Sequence, residues 1–226
     1  MPPSAKRRMR AVFERLRATY GLPKWKRSGP ATDVLIQTIL SQNTNDRNSG
    51  EGFRRLKAAF PKWGAVEKAS PQAVADAIRV SGLANVKSRR IRDILRRIRE
   101  ERGNFSLEFL KRRPPAEARA YLLDIPGVGP KTAACVLVFS FGMPVFPVDT
   151  HIHRVSRRLG LIPEKTGAAE AHDLLQALVP DEWVYPFHML LIRHGRETCH
   201  ARKPACAECV LLSLCPCGRE KKTADR

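Results

Sequence analysis

Apolar residues recur at helical spacing through most of the chain, and the first such segment is Met9–Tyr20. Val12, Phe13 and Leu16 fall on one face of this segment when it is drawn as a helix. The preceding residues, 1 to 8, are basic and lack this spacing, and we expect them to form a disordered tail. The pattern therefore predicts that regular structure begins at about Met9.

A second predicted helix starts at Asp33, where either Thr32 or Asp33 itself can cap the first turn. Its apolar run ends at Leu40 and gives way to a polar patch at residues 41–46. The next predicted helix is Gly52–Phe60. The polar patch is therefore expected to be a loop between two helices.

Two further helices carry clear signals at their starts. Ser70 is a cap residue and Pro71 occupies the first helical position, so a helix begins there and stops before Gly82. A long helix follows from Val86 to about Arg102, with an apolar seam and an otherwise basic surface that includes Lys87. That basic surface is either a solvated face or part of a surface that meets phosphate.

The remaining helices are predicted by the same reasoning. They are Ala116–Leu123, about Lys131 to Phe141, a helix capped by Asp149 or Thr150 and ending near Leu159, Ala168–Val179 and Pro186–His194. No segment shows more than weak strand alternation. About ten helices with short connections indicate an all-α protein.

Composition adds an expected class of partner to this picture of packed helices. The 226 residues include 41 lysines and arginines against 22 acids, a formal charge of +19. Such an excess indicates a polyanion, most often nucleic acid, although a basic protein without that role has the same composition. The sequence shows neither a secretory signal nor an apolar run of about 18 residues, which predicts a cytosolic protein without a membrane segment.

In a cytosolic protein, cysteines are more often metal ligands than disulfide partners. The four cysteines near the end of the chain have the spacing C-x6-C-x2-C-x5-C: Cys199, Cys206, Cys209 and Cys215. Only one CxxC pair is present, whereas four-cysteine zinc sites usually have two. The spacing suits an iron–sulfur cluster at least as well as zinc.

A glycine-rich turn leads into one of the predicted helices. Gly127 and Gly129 allow unusual backbone angles and close approach, and the amides at the helix start form an anion site. Lys131 lies in the first turn of that helix, where the helix dipole disfavours the charged amine, and a neutral amine is the nucleophile of Schiff-base chemistry. Asp149 can cap the next helix or stabilise positive charge in a reaction. A plain turn, a surface lysine and a simple cap are the alternatives.

Several segments resemble the endonuclease III family of DNA glycosylases. LDIPGVGPKTAACVL is similar to the family's helix–hairpin–helix, and PVDTHIHRVSRRLG to the segment that bears its catalytic aspartate. HGRETCHARKPACAECVLLSLC resembles its iron–sulfur loop with the spacing intact. SGLANVKSRRI and ILSQNTND also resemble family segments.

The resemblance implies a role for each matching residue. Lys131 corresponds to the Schiff-base lysine, Asp149 to the catalytic aspartate, and the four cysteines to ligands of a [4Fe-4S] cluster. Leu83 falls near the family's intercalating residue, and Asn43, next to Gln42, lies where the family has a polar plug. The contacts with DNA are then expected from Gln42, Asn43, Leu83, Gly127, Val128, Gly129, Thr132 and His151.

The fold implied by the resemblance has two lobes. A six-helix barrel with the helix–hairpin–helix spans residues 31–143, and residues 1–30 and 144–226 form the cluster domain. The implied function is a monomeric bifunctional glycosylase and lyase that removes oxidised pyrimidines from duplex DNA and also acts at abasic sites. The alternatives are a monofunctional glycosylase for mismatched adenine, thymine or uracil, and a non-catalytic DNA-binding module.

Overall fold

The computed structural model describes residues 3–219. Within them it contains eleven α-helices, a further helical segment at residues 216–219, four short 3₁₀ helices and no β-strand, which confirms the predicted all-α class. The α-helices are α1 (Pro3–Tyr20), α2 (Ala31–Leu40), α3 (Asp46–Ala59), α4 (Trp63–Lys68), α5 (Pro71–Ala77), α6 (Ala84–Arg102), α7 (Pro115–Asp124), α8 (Pro130–Phe141), α9 (Thr150–Arg158), α10 (Ala168–Leu178) and α11 (Val184–Glu197). The 3₁₀ helices are Arg79–Ser81, Glu108–Arg112, Asp181–Trp183 and Leu212–Leu214. No helix of this set is both long enough and apolar enough to cross a membrane.

The chain divides into two compact units. One comprises Met1–Lys26 and Pro144–Arg226, and the other comprises Arg27–Met143. The N-terminal helix α1 thus belongs with the last third of the chain. The predicted assignment of these parts to a cluster domain and a barrel domain remains a prediction.

Helix α8 lies at the centre of the unit formed by residues 27–143. It packs against α2 and α7, and its side chains from Thr132 to Val138 are all buried. Leu35, Ile36 and Ile39 of α2 are fully buried as well. Burying each such side chain contributes roughly 1.5–3 kcal/mol, so this packing fixes α8 firmly.

The other unit is organised around α11, which contacts α1 and α9. Phe13 of α1 stacks on Trp183 with ring centroids 4.1 Å apart and meets the edge of Phe187 at 5.8 Å. Phe13 lies near the start of the sequence, whereas Trp183 and Phe187 lie near its end. Their packing explains why α1 joins this unit.

Helix α1 begins at Pro3, so the prediction of a disordered tail is wrong from Pro3 onward, and residues 1 and 2 lie outside the described residues. Arg8 shows what the pattern missed. Its Nη1 donates hydrogen bonds to the carbonyl of Leu159 at 3.4 Å and to that of Gly160 at 3.1 Å. A distant partner therefore holds a segment that lacks apolar periodicity.

The predicted cap of α2 is also wrong, because the helix begins two residues before Asp33. Thr32 Oγ1 donates to the carbonyl of Phe105 at 2.6 Å, and Asp33 Oδ1 accepts from Trp63 Nε1 at 2.9 Å. Both side chains serve tertiary contacts rather than the helix end.

The next helix, α3, starts at Asp46 and not at Gly52, because Asn45 Oδ1 caps it by accepting from the amide of Asn48 at 2.8 Å. By contrast, the predicted cap of α5 is confirmed. Ser70 Oγ accepts from the amide of Ala73 at 3.1 Å.

Candidate nucleic-acid interface and active site

The turn between α7 and α8 has one closed and one open side. The amide of Val128 donates to the carbonyl of Ile125 at 3.0 Å, which closes the turn internally. Gly129 is the N-cap residue of α8, and no side chain caps that helix. The first amides of a helix have no partner within it, so those of Lys131 and Thr132 remain available to an outside acceptor.

Pro130 occupies the first position of α8. Proline is favoured there because its ring fixes φ near the helical value and because the amide it lacks would have had no partner in the helix. The residue therefore costs the helix no internal hydrogen bond. It also removes one possible donor to an anion at this turn.

Two predicted DNA contacts of this turn are buried. Val128 is 5% exposed and Thr132 is 3% exposed. The amide of Val128 is engaged within the turn, whereas that of Thr132 is open to an outside acceptor. Both contacts remain predictions, and they would depend on the backbone rather than on the side chains.

The two glycines of the turn serve different purposes. Gly127 has φ of +87°, and a Cβ there would lie 2.8 Å from Cδ of Arg90. Gly129 has an ordinary φ of −93°, and a Cβ there would meet nothing within 4 Å. The fold thus requires glycine at 127. It gives no reason for glycine at 129, where the open space can admit a ligand's backbone.

Lys131 is half-buried in the first turn of α8. Within residues 3–219 its ammonium makes no hydrogen bond or ion pair. Its neighbours along α8 from Thr132 to Val138 are buried in the core, so the backbone that carries it is anchored. The amine itself is left uncommitted.

Helix α6 contains a lysine that the sequence analysis placed on a basic surface. Lys87 is only 2% exposed, and its Nζ donates to the carbonyl of Leu40 at 2.7 Å and to that of Ser81 at 2.6 Å. Burial lowers the pKa of Lys87. The prediction of a surface role is wrong for this residue, which instead ties the end of α2 to the turn before α6.

One helical turn later, Arg90 joins two of the predicted contacts. Its Nη1 donates to Gln42 Oε1 at 2.7 Å, and its side chain fills the space beside Gly127. Gln42 is left with its amide nitrogen as a donor. Arg90 of α6 therefore holds the loop after α2 and packs beside the hairpin turn. Lys87 of the same helix holds the turn that precedes α6.

Two of the predicted contacts adopt left-handed backbone conformations. Leu83 has φ of +49° and is 55% exposed, and Asn43 has φ of +52°. Such angles are uncommon for residues other than glycine and cost a leucine roughly 1–2 kcal/mol. An exposed apolar side chain held in a strained conformation indicates a function outside the fold, as expected for a wedge.

In the other unit, Asp149 caps α9 as predicted. Its Oδ1 accepts from the amide of Ile152 at 2.8 Å, and the residue is half-buried. Its second oxygen has no partner within residues 3–219. Asp149 thus has one oxygen for the helix and one for a ligand.

The extended segment that leads to Asp149 is held by two side chains. Gln176 accepts from the amide of Phe146 at 2.7 Å and donates to the carbonyl of Pro144 at 2.8 Å. His188 is buried, and its Nδ1 lies 3.0 Å from the carbonyl of Pro147. These contacts fix the backbone that leads to the carboxylate.

His151, a predicted DNA contact, lies two residues beyond Asp149 and is half-buried. Its Nδ1 is 3.1 Å from Nη2 of Arg154, which also donates to the carbonyl of Gly195 at 2.8 Å. The Nε of Arg154 donates to the carbonyl of Cys199 at 3.0 Å. The Nδ1 of His151 therefore accepts from the guanidinium, and only Nε2 is left for DNA.

All four predicted ligand cysteines line a single cavity, together with Cys217. None of the chain's six cysteines forms a disulfide. Three of the four ligand sulfurs lie near nitrogen donors: Cys199 Sγ is 3.3 Å from Arg158 Nη1, Cys215 Sγ is 3.3 Å from the amide of Gly218, and Cys209 Sγ is 3.7 Å from His194 Nε2. Donors of this kind are those that stabilise thiolates.

The donor set of this cavity fits an iron–sulfur cluster. Four cysteines line it, which is the usual ligand number and type of a [4Fe-4S] cluster, although zinc takes the same set. Burial raises the pKa of the Cys209 and Cys215 thiols, and a bound metal centre would hold them as thiolates.

The cysteine loop is also bound to α9. Arg158 donates from Nη1 to the carbonyl of His200 at 2.6 Å and from Nη2 to that of Ala201 at 3.0 Å. With Arg154 on the carbonyl of Cys199, two arginines of one helix hold the start of the loop. Since Asp149 caps the same helix, the loop supports the helix that carries the carboxylate.

The structure thus brings the predicted DNA contacts into two groups. Gln42, Leu83 and the hairpin turn are held around α6 in one unit, and Asp149, His151 and the cysteines lie in the other. Sequence reasoning missed Lys87, although it precedes Ile91 by four residues and so lies on the apolar seam of α6. It also missed Arg90, Arg154 and His194, which no pattern in the sequence distinguishes from surface residues.

Comparison with protein-family models gives two matches. The HhH-GPD superfamily of base excision DNA repair proteins matches residues 36–181, and the iron-sulfur binding domain of endonuclease III matches residues 199–215. The second match contains the four predicted ligand cysteines and ends before Cys217.

Individual proteins show the same similarity. Endonuclease III of Thermotoga maritima is 35% identical over 182 residues, covering 80% of this chain and 81% of that protein. Endonuclease III of Escherichia coli (strain K12) is 34% identical over 183 residues, covering 81% and 82%. A protein of Arabidopsis thaliana that is named as a DNA glycosylase is 39% identical over 171 residues, and this chain spans 58% of its length.

Solved structures extend the similarity to the whole fold. A non-covalent endonuclease III–DNA complex superimposes with a TM-score of 0.83 at 27% identity, covering 96% of this chain and 98% of that one. A trapped endonuclease III–DNA covalent intermediate gives the same TM-score at 28% identity, with the same coverage.

Proposed function

This chain belongs to the endonuclease III family of the HhH-GPD superfamily, and we propose that it removes oxidised pyrimidines from duplex DNA by means of Lys131 and Asp149. As a member of that family it is a base excision repair DNA glycosylase and abasic-site lyase with a [4Fe-4S] cluster. The proposal adds the roles of single residues and the class of lesion. The observation that carries it is Lys131, which lies on a helix anchored in the core and whose amine has no partner within residues 3–219.

The hairpin turn serves as the anchor on the DNA backbone in this proposal. The free amides of Lys131 and Thr132 at the positive end of α8 bind a phosphodiester oxygen. Gly129 lets the strand come close, because nothing fills the space beside its Cα. The anchor therefore places a deoxyribose near Lys131.

Leu83 and the loop that carries Gln42 and Asn43 open the duplex. Leu83 enters the base stack as a wedge, and the polar side chains occupy the gap that the flipped nucleotide leaves. Lys87 and Arg90 hold these segments at fixed positions, so the cost of ordering them is met during folding. A preorganised opening device lowers the free energy needed for flipping.

Covalent chemistry then falls to Lys131. Its Nζ attacks C1′ of the deoxyribose, the glycosidic bond breaks, and the base leaves with the bonding electrons and takes up a proton. Ring opening gives a Schiff base between Nζ and C1′. Loss of the C2′ proton breaks the C3′–O bond and nicks the strand, and water then hydrolyses the Schiff base to release Lys131.

Asp149 stabilises the positive charge that develops on the sugar as the base leaves. The oxygen that does not cap α9 is the one available for this role. Because the other oxygen is fixed by the amide of Ile152, the carboxylate does not have to reorganise. The proposal requires that Lys131 and Asp149 reach the same nucleotide when DNA is bound.

The cluster would be held by Cys199, Cys206, Cys209 and Cys215. When bound, it supplies iron–thiolate bonds that fix the loop and a one-electron redox centre. Arg154 and Arg158 connect that loop to the helix that Asp149 caps, and so link the cluster to the carboxylate.

Reductive trapping tests the covalent step. The intact protein is mixed with a duplex containing a single thymine glycol or abasic site, and borohydride is added. We expect a covalent protein–DNA adduct with the natural protein and with Lys68→Gln, which changes an exposed lysine at the end of α4. Lys131→Gln should give none, and Asp149→Asn should slow base release more than it weakens DNA binding.

The alternatives predict different outcomes of the same assay. Base release without any adduct from the natural protein would indicate a monofunctional glycosylase. Binding without base release on any substrate would indicate a DNA-binding module. A panel of single-lesion duplexes, including mismatched adenine and thymine, then distinguishes oxidised pyrimidines from other substrates.

We also propose that a single copy is the active unit and that it works on chromosomal DNA in the cytoplasm. The nucleophile, the carboxylate and the four cluster ligands all come from one chain. The formal charge of +19 supports binding to long DNA through many phosphates.

A further inference from the structure

His194 of α11 lies between the cysteine cavity and α1. It is 2% exposed, and its Nε2 is 3.7 Å from Cys209 Sγ. Its Nδ1 is 3.2 Å from the hydroxyl of Tyr20, which is also 3.2 Å from Thr198 Oγ1. Three side chains therefore form a line of polar contacts that ends on a cluster ligand.

The chemistry of the ligand assigns the protons along this line. An iron-bound cysteine is a thiolate and can only accept, so Nε2 of His194 must carry the hydrogen. That assignment holds for either charge state of the ring, because Nε2 is protonated in both. The other ring nitrogen, Nδ1, faces the hydroxyl of Tyr20, and a hydroxyl can supply the hydrogen of that contact.

With Nδ1 as an acceptor, the hydroxyl of Tyr20 must donate to it. The oxygen of Tyr20 is then the acceptor for Thr198, whose hydroxyl supplies the first hydrogen of the line. Every contact has one donor and one acceptor, which leaves a single consistent direction from Thr198 to Cys209. Hydrogen bonds arranged head to tail strengthen one another.

The position of Tyr20 is fixed by α11. The guanidinium of Arg193 lies 4.6 Å from the centre of the tyrosine ring, and its Nη1 donates to the carbonyl of Tyr20 at 3.2 Å. A cation over the ring draws electron density from it and makes the phenol a better donor. The relay therefore starts from an oriented and polarised hydroxyl.

The hydrogen bonds to the sulfurs of Cys199 and Cys215 differ in kind from the one that His194 makes to Cys209. Cys199 faces the guanidinium of Arg158, and Cys215 faces the backbone amide of Gly218. Those donors also hold the loop together, whereas the relay reaches Cys209 from outside the loop. A hydrogen bond to a ligating sulfur stabilises the added negative charge of the reduced cluster and so raises its reduction potential.

We propose that Tyr20 and His194 form a directional hydrogen-bond relay that sets the reduction potential of the bound [4Fe-4S] cluster through Cys209. Tyr20 and His194 are positioning residues in this role, since neither binds iron. The relay requires that the cluster be bound by the four cysteines, but it is independent of the roles proposed for Lys131 and Asp149.

The test is Tyr20→Phe in the intact, cluster-loaded protein, which removes one hydroxyl and keeps the ring. The midpoint potential is measured by voltammetry, alongside iron content and absorbance near 400 nm. We expect a more negative potential with unchanged iron content. The matched control is Tyr121→Phe, which removes a hydroxyl bonded to Glu101 in the other unit and should leave the potential unchanged.

A second variant, His194→Phe, removes the donor to Cys209 and should shift the potential further in the same direction. Resonance Raman bands of the iron–cysteine bonds should shift in both variants and not in the control. An unchanged or more positive potential in Tyr20→Phe overturns the relay. Loss of iron in Tyr20→Phe also overturns it, because the contact would then be structural. The result for Tyr20→Phe is sufficient to support or reject the relay, so the test does not depend on correct folding of the histidine variant.

Discussion

Two helices of residues 27–143 each follow a turn that contains glycine and carry a lysine near their start: Lys87 on α6 and Lys131 on α8. The two lysines nevertheless differ in their contacts. Lys87 is buried and donates to two carbonyls, whereas Lys131 is half-buried and makes no contact of that kind within residues 3–219. The first amine serves the fold, and the second is left for chemistry.

The difference shows that sequence position alone does not make a lysine reactive. Both amines lie close to the positive end of a helix, but only one has acceptors within reach. A buried carbonyl at the end of a helix or turn satisfies an ammonium and removes it from solvent. Residues for catalysis are therefore recognised by the partners they lack.

The largest effect expected from this comparison is the loss of trapping in Lys131→Met. The substitution removes the nucleophile and keeps the length of the side chain, so the rate of covalent adduct formation should fall by about 10⁴-fold or more. The free energy of unfolding should change by less than about 0.5 kcal/mol, because the ammonium of Lys131 makes no hydrogen bond or ion pair within residues 3–219. Trapping gels and urea unfolding measure the two quantities, and a large loss of stability would contradict the comparison.

Lys87→Met should give the reverse result. It leaves the buried carbonyls of Leu40 and Ser81 without a donor, at about 1–3 kcal/mol each, partly offset by burying an apolar group instead of an amine. We expect a loss of about 3 kcal/mol in urea unfolding. The folded fraction should still form the trapped adduct, although more slowly, because the wedge and the plug loop are no longer fixed. A variant as stable as the natural protein would show that Lys87 is not structural.

The two hairpin glycines provide the next test. Gly127→Ala forces alanine into a left-handed conformation, at roughly 1–2 kcal/mol, and pushes against Arg90. We therefore expect about 2 kcal/mol of destabilisation. Gly129→Ala, the matched control for folding, should unfold like the natural protein but bind duplex DNA more weakly in an anisotropy titration. Equal DNA affinity for Gly129→Ala would remove the turn from the interface.

The smallest expected change is a gain in stability. Leu83→Gly relieves the strain of a left-handed leucine, roughly 1–2 kcal/mol, and adds roughly 0.5–1 kcal/mol of entropy to the unfolded chain. The net gain should be below about 1 kcal/mol. Base flipping, followed by the fluorescence of 2-aminopurine opposite the lesion, should become slower. If flipping were unaffected, Leu83 would not be the wedge.

Much of this architecture follows from local signals in the sequence. The helix starts at Ser70 and Asp149, the all-α class and the cysteine spacing are all local, and the structure agrees with them. The errors arise where a partner distant in sequence determines which hydrogen bond a side chain makes. Thr32 and Asp33 serve Phe105 and Trp63 rather than a cap, and Lys87 serves two carbonyls that are remote in sequence from each other.

The candidate site shows the same limit. The nucleophile, the carboxylate and the four cysteines were identified from motifs, and their roles in catalysis remain predictions. Arg90 and His194 could not be identified, because a sequence does not show which of its 41 basic residues meets Gln42, or which histidine meets a cysteine. Their importance depends on tertiary geometry alone.

The grouping of α1 with the last third of the chain has a consequence for how the protein is made. On the ribosome, Arg8 and Phe13 emerge first, but their partners at residues 159–160 and 183–187 appear only after the whole of residues 27–143 has been synthesised. The intervening segment can fold as a unit while α1 waits with its apolar face uncovered. The cysteine loop emerges later still, so residues 27–143 have been synthesised in full before the last cluster ligand is available.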